Sequence, residues 1–303
     1  MKSRLVWLLL CLIWGSTWLF IKLGLKDLPP LTFAGIRFII ASLILLGLLK
    51  IRKQSLPTSR RDWMLLAGVG VMSFSLNYGL VFWGEQYISS GLAALLQATA
   101  PAFGLVFAHF YLPAERITPA KLVGVLIGVV GVGIIFSSQL SIAGPTALKG
   151  SLALLLSAVF VAYSNVIVKA YCKHLEPTVL AAGQMMCGLV PLLLIGIPLE
   201  GNPFNFHWTM MTVVAMFYLA IVGSVVAFVL YYWLMKNMDV TKTLLIALVT
   251  PVVAVILGMI VLKERLEWRT LLGGALIISG IALLRGRRKL SGHKRSPGLE
   301  VTK

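Results

Sequence analysis

Long apolar runs separated by short polar interruptions fill almost the whole chain. Ten of them can be laid out, over about 4–22, 31–50, 63–84, 89–111 and 119–137, then 148–169, 178–198, 209–234, 241–262 and 267–285. Each is close to the roughly 20 residues that an α-helix needs to cross the hydrocarbon of a bilayer. Turn residues and charges mark the breaks, at Leu28-Pro29-Pro30, Lys50 to Asp62, Glu115-Arg116, Ser137 to Pro145 and Gly201-Asn202-Pro203. The pattern predicts an all-α polytopic membrane protein with ten transmembrane helices. Lys2 and Arg4 before the first run imitate a secretory leader, but the run lacks a small-residue cleavage site and closes on Ile21-Lys22, so it is read as a span.

Composition removes the soluble alternatives. Of 303 residues, 59% are hydrophobic and 12% charged, where soluble domains carry roughly 25% charged residues. Ten spans leave about ten residues for each connection, too few for a soluble domain. Twenty-seven Lys and Arg against ten Asp and Glu give a net charge of +17. In a soluble chain that excess would suggest nucleic acid. With this hydropathy it fixes topology, because positive loops stay on the cytoplasmic side, and the expected partner is the lipid bilayer. With the N-terminus inside, 20 basic residues fall inside and six outside (Lys22, Lys26, Lys149, Lys263, Arg265 and Arg269), while Arg37 lies within a span. Both termini are therefore expected in the cytoplasm. The tail from Arg287-Arg288-Lys289 to Lys303 is read as an unstructured topology anchor. Cys11, Cys172 and Cys187 have no metal or redox spacing, and no metal or cofactor is expected.

The second half of the chain can be laid on the first. At an offset of 147, Lys22 meets Lys169, Pro30 meets Pro177 and Arg37 meets Gln184. At 150, Phe82-Trp83 meets Tyr232-Trp233, Leu95 meets Leu245 and Pro101 meets Pro251; at 149, Glu115-Arg116 meets Glu264-Arg265, Gly124 meets Gly273 and Gly131 meets Gly280. Matches at Pro, Trp and Glu-Arg in one order are harder to produce by chance than matches at Leu or Val. The organisation expected is a first repeat over 1–138, a second over 139–285 and a basic tail over 286–303. Five spans per half is an odd number, so the repeats are inverted. The outside cluster Lys263, Arg265 and Arg269 is then the counterpart of the inside Glu115-Arg116 corner. Two halves facing opposite ways can open one central site to each side in turn.

These residues resemble the EamA-type branch of the drug/metabolite transporter superfamily. The likeness rests on Trp14-Gly15-Ser16-Thr17-Trp18, Phe38 after Arg37, Ala100-Pro101, Glu115-Arg116 and Gly124, and on Thr250-Pro251, Lys263-Glu264-Arg265 and Gly273-Gly274 in the duplicate. It covers about residues 5–285. It implies a ten-helix inner-membrane carrier for small metabolites, commonly amino acids or other amphipathic compounds, often in the export direction. The duplicate of the first-span motif reads Ala162-Tyr163-Ser164-Asn165, so the pocket is not expected to be two-fold symmetric.

Candidate pathway residues follow from cost. Arg37 lies roughly 9 Å into its span at 1.5 Å per residue, where a cation faces a cavity or a partner. It attracts a substrate carboxylate or snorkels to the headgroups; its counterpart Gln184 favours a cavity lining. Pro101 and Pro251 fall near mid-span, each removing a hydrogen bond from the carbonyl four residues earlier, at Gln97 and Ala247; a carbonyl freed in this way binds substrate, which makes Gln97 a candidate cavity residue, or marks a hinge, against a static kink absorbed by packing. Trp14, Ser16, Trp18, Asn77, Tyr78, Trp83, Tyr163, Asn165, Tyr231 and Trp233 are candidate lining, with Asn77 and Asn165 preferred because an amide in hydrocarbon needs an internal partner. Glu85 and His109 are the candidates for proton coupling, against plain solvation at a helix end. His109, His174, His207 and His293 are scattered and no acidic pair falls within a span, so an enzyme is not expected. Nucleotide-sugar or lipid-like substrates on the same scaffold are the alternative, but phosphates call for several basic residues and only Arg37 is available; a non-transport intramembrane protein is the other alternative, and it leaves the inverted duplication unexplained. A monomer is expected, with a dimer as the alternative.

Overall fold

The computed structural model describes residues 2–112, 117–142, 144–237 and 246–283. Every regular element among them is helical. A backbone in hydrocarbon must satisfy its own N–H and C=O groups, and a helix does so within one segment. In chain order the segments are α1 (Lys2–Gly24), α2 (Pro30–Ile51), α3 (Arg60–Glu85), α4 (Ser90–Tyr111), α5 (Pro119–Ile142), α6 (Gly144–Tyr171), α7 (Pro177–Glu200), α8 (Met210–Phe217, Tyr218–Val226 and Ala227–Asn237 in series), α9 (Ile246–Val261) and α10 (Trp268–Leu283). Among the described residues, α1 to α8 are long and apolar enough to cross a membrane, whereas α9, with Val249–Val261 as its apolar part, and α10 are apolar but shorter. The start of the ninth expected run, the Glu115-Arg116 corner and the basic tail lie outside the described residues.

The starts follow local chemistry. Pro30, Pro119 and Pro177 each open a helix, where the missing N–H costs nothing. The Ser89 side chain accepts from the Leu92 N–H at the start of α4, and Thr209 and Thr212 form a reciprocal capping box at the start of α8. The break expected from Ser137 to Pro145 is mostly helical, since α5 continues to Ile142 and α6 begins at Gly144. Pro145 falls in the first turn of α6, so it starts a helix there instead of interrupting one.

Two helices widen in the middle. Val71–Asn77 in α3 and Tyr218–Val226 in α8 are π-helical, a winding that recurs at functional sites. They occupy corresponding positions at offsets of 147 and 149.

The packing repeats in the same way. α1 packs on α8 and α9, and α6 packs on α3 and α4; α2 meets the wide turns of α8, and α7 meets those of α3. α2 pairs with α7, and α5 with α10. The α5–α10 crossing depends on glycine. A Cβ on Gly131 would stand 2.5 Å from the Gly273 carbonyl oxygen, and one on Gly273 would stand 2.6 Å from that of Gly131. Gly280 faces the Gly124 carbonyl with as little room, so the backbones approach as only small residues allow. At opposite connections, His174 Nε2 lies 3.0 Å from Asp62 Oδ1, and Thr209 Oγ1 donates to Asp27 Oδ2 at 3.0 Å. Adding 147 carries Asp62 to Thr209 and Asp27 to His174.

Buried Phe33, Phe38, Phe74, Phe82, Leu45, Leu154 and Met185 lie in one continuous core. The exterior is apolar too: Leu5, Leu8, Leu9 and Leu12 of α1, and Leu122, Leu126 and Val130 of α5, are exposed. Leucines on the outside suit a surface covered by lipid and not by water.

Candidate functional site

Arg37 is the chemical anomaly of the interior. It is 1% exposed, which rules out snorkelling. Its Nε donates to Ser224 Oγ at 2.9 Å and its Nη2 to the Gly223 carbonyl oxygen at 3.3 Å, both in the wide turns of α8. The Ser224 hydroxyl in turn donates to the Leu219 carbonyl, five residues back. Gly223 leaves the space, since a Cβ there would meet the Thr17 methyl at 2.8 Å and Nη2 at 3.4 Å. The guanidinium carbon lies 4.9 Å from the Tyr78 ring centre, 5.2 Å from Phe38 and 5.9 Å from Phe82. Cation–π contacts of this kind contribute about 2 kcal/mol when desolvated. Among the described residues Nη1 has no hydrogen-bond partner and no carboxylate is in ion-pairing range of Arg37.

From this cation an aromatic chain crosses the bundle. Tyr78 stacks on Phe74 with centres 5.9 Å apart, Phe74 meets Phe228 at 5.1 Å, and Phe228 meets Tyr232 at 6.1 Å. The Tyr232 hydroxyl accepts from Gln184 Nε2 at 3.3 Å, and Gln184 is also 1% exposed. Trp14 lies edge-on to Phe228 and tilted over Tyr231, at 5.7 and 5.0 Å. Its indole N–H is buried without a partner. Trp14, Tyr78 and Tyr231 remain half-buried. A cation at one end, an amide at the other and rings between them suit a ligand with one charged group and an apolar body.

A second polar group joins α3, α4 and α6. Ser157 Oγ donates to Gln97 Oε1 at 2.6 Å, Gln97 Nε2 to Asn77 Oδ1 at 2.9 Å, and Asn77 Nδ2 to the Ser73 carbonyl at 3.1 Å. The Ser73 hydroxyl meets that of Ser164, which bonds the Val69 carbonyl. Gln97 stands where α4 is discontinuous. Helices Ser90–Gln97 and Ala100–Tyr111 are joined through Ala98 and Thr99, and Pro101 falls in the first turn of the second piece. Pro251, by contrast, sits inside a continuous α9, where the Thr250 hydroxyl bonds the Ile246 carbonyl.

The remaining candidates are dispersed. Ser16 bonds the Ile13 carbonyl and meets the Tyr218 hydroxyl at 2.6 Å, at the α1–α8 contact. Trp18 is buried, Trp83 lies edge-on to Tyr87, and Trp233 packs with Trp14 in a small cluster of α1, α8 and α9. Tyr163 stands edge-on to Phe107 and shares a hydroxyl contact of 3.0 Å with Tyr111. Asn165 is exposed, so the internal partner expected for its amide is not what positions it. His109 is exposed beside Phe110. Glu85 is fully buried at the end of α3. A groove of about 480 Å³ between the 53–59 segment and the 174–176 corner shares no residue with the aromatic chain. Sequence reasoning missed Ser224, Phe74, Phe228 and Ser157. For Ser224 and Phe74 the signal was available in the repeat, since they lie in the segments that correspond across it.

An all-helical bundle with an apolar exterior and a buried cation over aromatic rings is a multi-pass membrane protein. A model described as the EamA-like transporter family matches residues 1–137 and again 148–286, so the chain belongs to that family and is a membrane transporter. It is 30% identical over 276 residues to the uncharacterized transporter YoaV of Bacillus subtilis (strain 168), covering 89% of this chain and 92% of that protein. It is 30% identical over 288 residues to the uncharacterized inner membrane transporter YedA of Escherichia coli (strain K12), covering 92% and 89%. A solved structure titled "Crystal structure of protein" shares the fold with a TM-score of 0.67 at 21% identity, over 93% of this chain and 96% of that one.

Proposed function

We propose that this protein is a secondary carrier of small amphipathic metabolites bearing a carboxylate, amino acids first among them, in the inner membrane and in the export direction. Arg37 carries the proposal. It is a buried cation with no carboxylate in range among the described residues, with a free Nη1 and an aromatic chain beginning at its face. A charge held in that way needs an anion, and one guanidinium suits one carboxylate better than the several phosphate oxygens of a nucleotide sugar. Ten spans in two inverted halves, working by alternating access, are the architecture proposed. The two successive family matches, the corresponding wide turns of α3 and α8 and the reciprocal glycine crossing of α5 with α10 support it. The 20 to 6 distribution of basic residues supports cytoplasmic termini.

The test is purified protein in liposomes preloaded with labelled amino acids, with and without a pH gradient. Efflux of an amino acid that competes with other carboxylates is expected. No amino acid moved, alongside uptake of a nucleotide sugar, would overturn the substrate class. Orientation is read by single cysteines at Ser55 and Asn205 in a chain lacking its own three. Ser55→Cys should react only from the cytoplasm and Asn205→Cys only from outside; the reverse pattern would invert the topology.

A further inference from the structure

Where α1, α3, α4 and the α9–α10 connection meet, the bundle holds charges that a site around Arg37 does not use. Lys22, near the end of α1, donates from Nζ to the carbonyl oxygens of Glu85 at 2.5 Å, Ile88 at 2.7 Å and Gln86 at 3.4 Å. An ammonium has three protons, and here all three go to the open carbonyls at the end of α3, where the partial negative charge of the helix gathers. Glu264 is committed as well. Its Oε1 accepts from the Ser90 N–H at 2.8 Å, and its Oε2 accepts from the Ser90 hydroxyl at 2.9 Å and the Gly91 N–H at 3.3 Å, so it closes the first turn of α4.

Glu85 has no such arrangement. It is 0% exposed, and among the described residues neither carboxylate oxygen has a hydrogen-bond partner. The charges that act on it are Lys22 of α1 and Glu264 of the α9–α10 connection. Lys263 and Arg265 beside Glu264 are exposed. From α6 the packing residues are Gly150, Ala153 and Leu154, which meet Gly84, while Lys149 is exposed. From α4, Ser90 is held by Glu264; on α2, Arg37 is held by Ser224 and Tyr78. Glu85 thus lies in the field of one cation and one anion but receives no donor from either. An ionised carboxylate buried without a donor costs several kcal/mol, whereas a protonated one is neutral and costs much less to bury.

We infer that Glu85 is a proton-binding site that gates this end of the bundle. It takes up one proton as the Lys22 and Glu264 contacts close over it, and releases that proton when they part and water reaches the carboxylate. The role of a gate rests on the carrier reading above; the proton itself is observable without any transport. If closure takes up one proton, the equilibrium between closed and open forms shifts about tenfold per pH unit on the side from which the proton comes.

Two measurements test this on the full chain in liposomes. Infrared difference spectra at neutral pH should contain a protonated carboxylic acid band that shifts in heavy water and is missing from Glu85→Gln. Absence of the band in the wild type, or its persistence in the variant, overturns the proton site. Glu85→Gln has the shape and charge of the protonated acid, so it is required to fold and insert. In flux assays with an amino acid, wild-type transport should vary with pH on one side by up to about tenfold per unit, and Glu85→Gln should be flat. Retention of the wild-type pH response in Glu85→Gln overturns the gate. If no amino acid is carried at all, the infrared result still decides the proton site while the carrier reading fails separately.

Discussion

Arg37 and Gln184 occupy corresponding positions of α2 and α7, the two helices pack on each other, and each side chain is 1% exposed. Their surroundings nevertheless differ in kind. Arg37 holds the wide turns of α8 through Ser224 and Gly223 and faces three rings, whereas Gln184 makes one long hydrogen bond to a tyrosine. The same division recurs at the prolines. α4 breaks before Pro101 and uses the break to place Gln97 between Asn77 and Ser157, while α9 runs through Pro251 with Ala247 opposite Gln97 in the repeat. The features that match across the halves are those that shape the scaffold: the glycine crossing, the wide turns and the Asp62–His174 and Asp27–Thr209 contacts. The features that differ carry charge or a polar relay. On the carrier reading proposed above, a near-symmetric frame with asymmetric polar groups would supply two related conformations and one oriented ligand.

The sharpest way to break that comparison is at position 37. Arg37→Ala should lower flux about a hundredfold, near the upper end of the roughly 1.5–3 kcal/mol lost with a hydrogen bond to a charged group, while Gln184→Ala should cost no more than about tenfold. Equal losses in liposome flux would show that the asymmetry has no bearing on the substrate. Gly131→Leu and Gly273→Leu test the symmetric part. Each should destabilise the folded protein in detergent by about 1–3 kcal/mol through overpacking, and to a similar extent; tolerance of one alone would mean that the crossing is not reciprocal. Gln97→Ala makes the first half like the second at that position and should cost about 1 kcal/mol of thermal stability for the lost relay. The smallest effects are expected at the connections, where Asp62→Asn and Asp27→Asn should each change stability by less than about 1 kcal/mol. A much larger loss from either would make that contact a main support of the fold.

Much of this was legible from the order of residues. An apolar run about as long as the bilayer is thick has few options besides a helix, and α1, α2, α6 and α7 lie within a few residues of where the runs place them. Arg37 and Gln184 were identified from cost and correspondence. What the runs do not encode is which way a side chain points. Asn165 was preferred for the same reason as Asn77, yet Asn77 is 3% exposed and bonded to Gln97 while Asn165 is on an exposed face. A one-residue difference in helical phase turns a side chain by about 100°, as follows from 3.6 residues per turn, and when every face of a helix is apolar the sequence has no polar stripe from which to read the phase. The partners of Lys22 escaped for another reason. A basic residue at a span end reads as a topology signal, and only the approach of α3 makes its proton donors the cap of a different helix.

The sequence by itself determined that the chain is helical and built for a membrane, that its halves correspond, and that one cation is retained where a cation is expensive. Those properties are sums over local composition and spacing, so they survive without any knowledge of contacts. Only the tertiary structure decided that α4 breaks before Pro101 while α9 runs through Pro251, that α3 and α8 widen at matching places, that Arg37 turns inward over Tyr78 and that Glu85 is enclosed without a donor. Each of these depends on what a neighbouring helix offers across the gap, and hydrogen bonds and ring contacts are specified in ångströms between residues as far apart in the chain as Ser16 and Tyr218, 202 positions, or Trp14 and Tyr231.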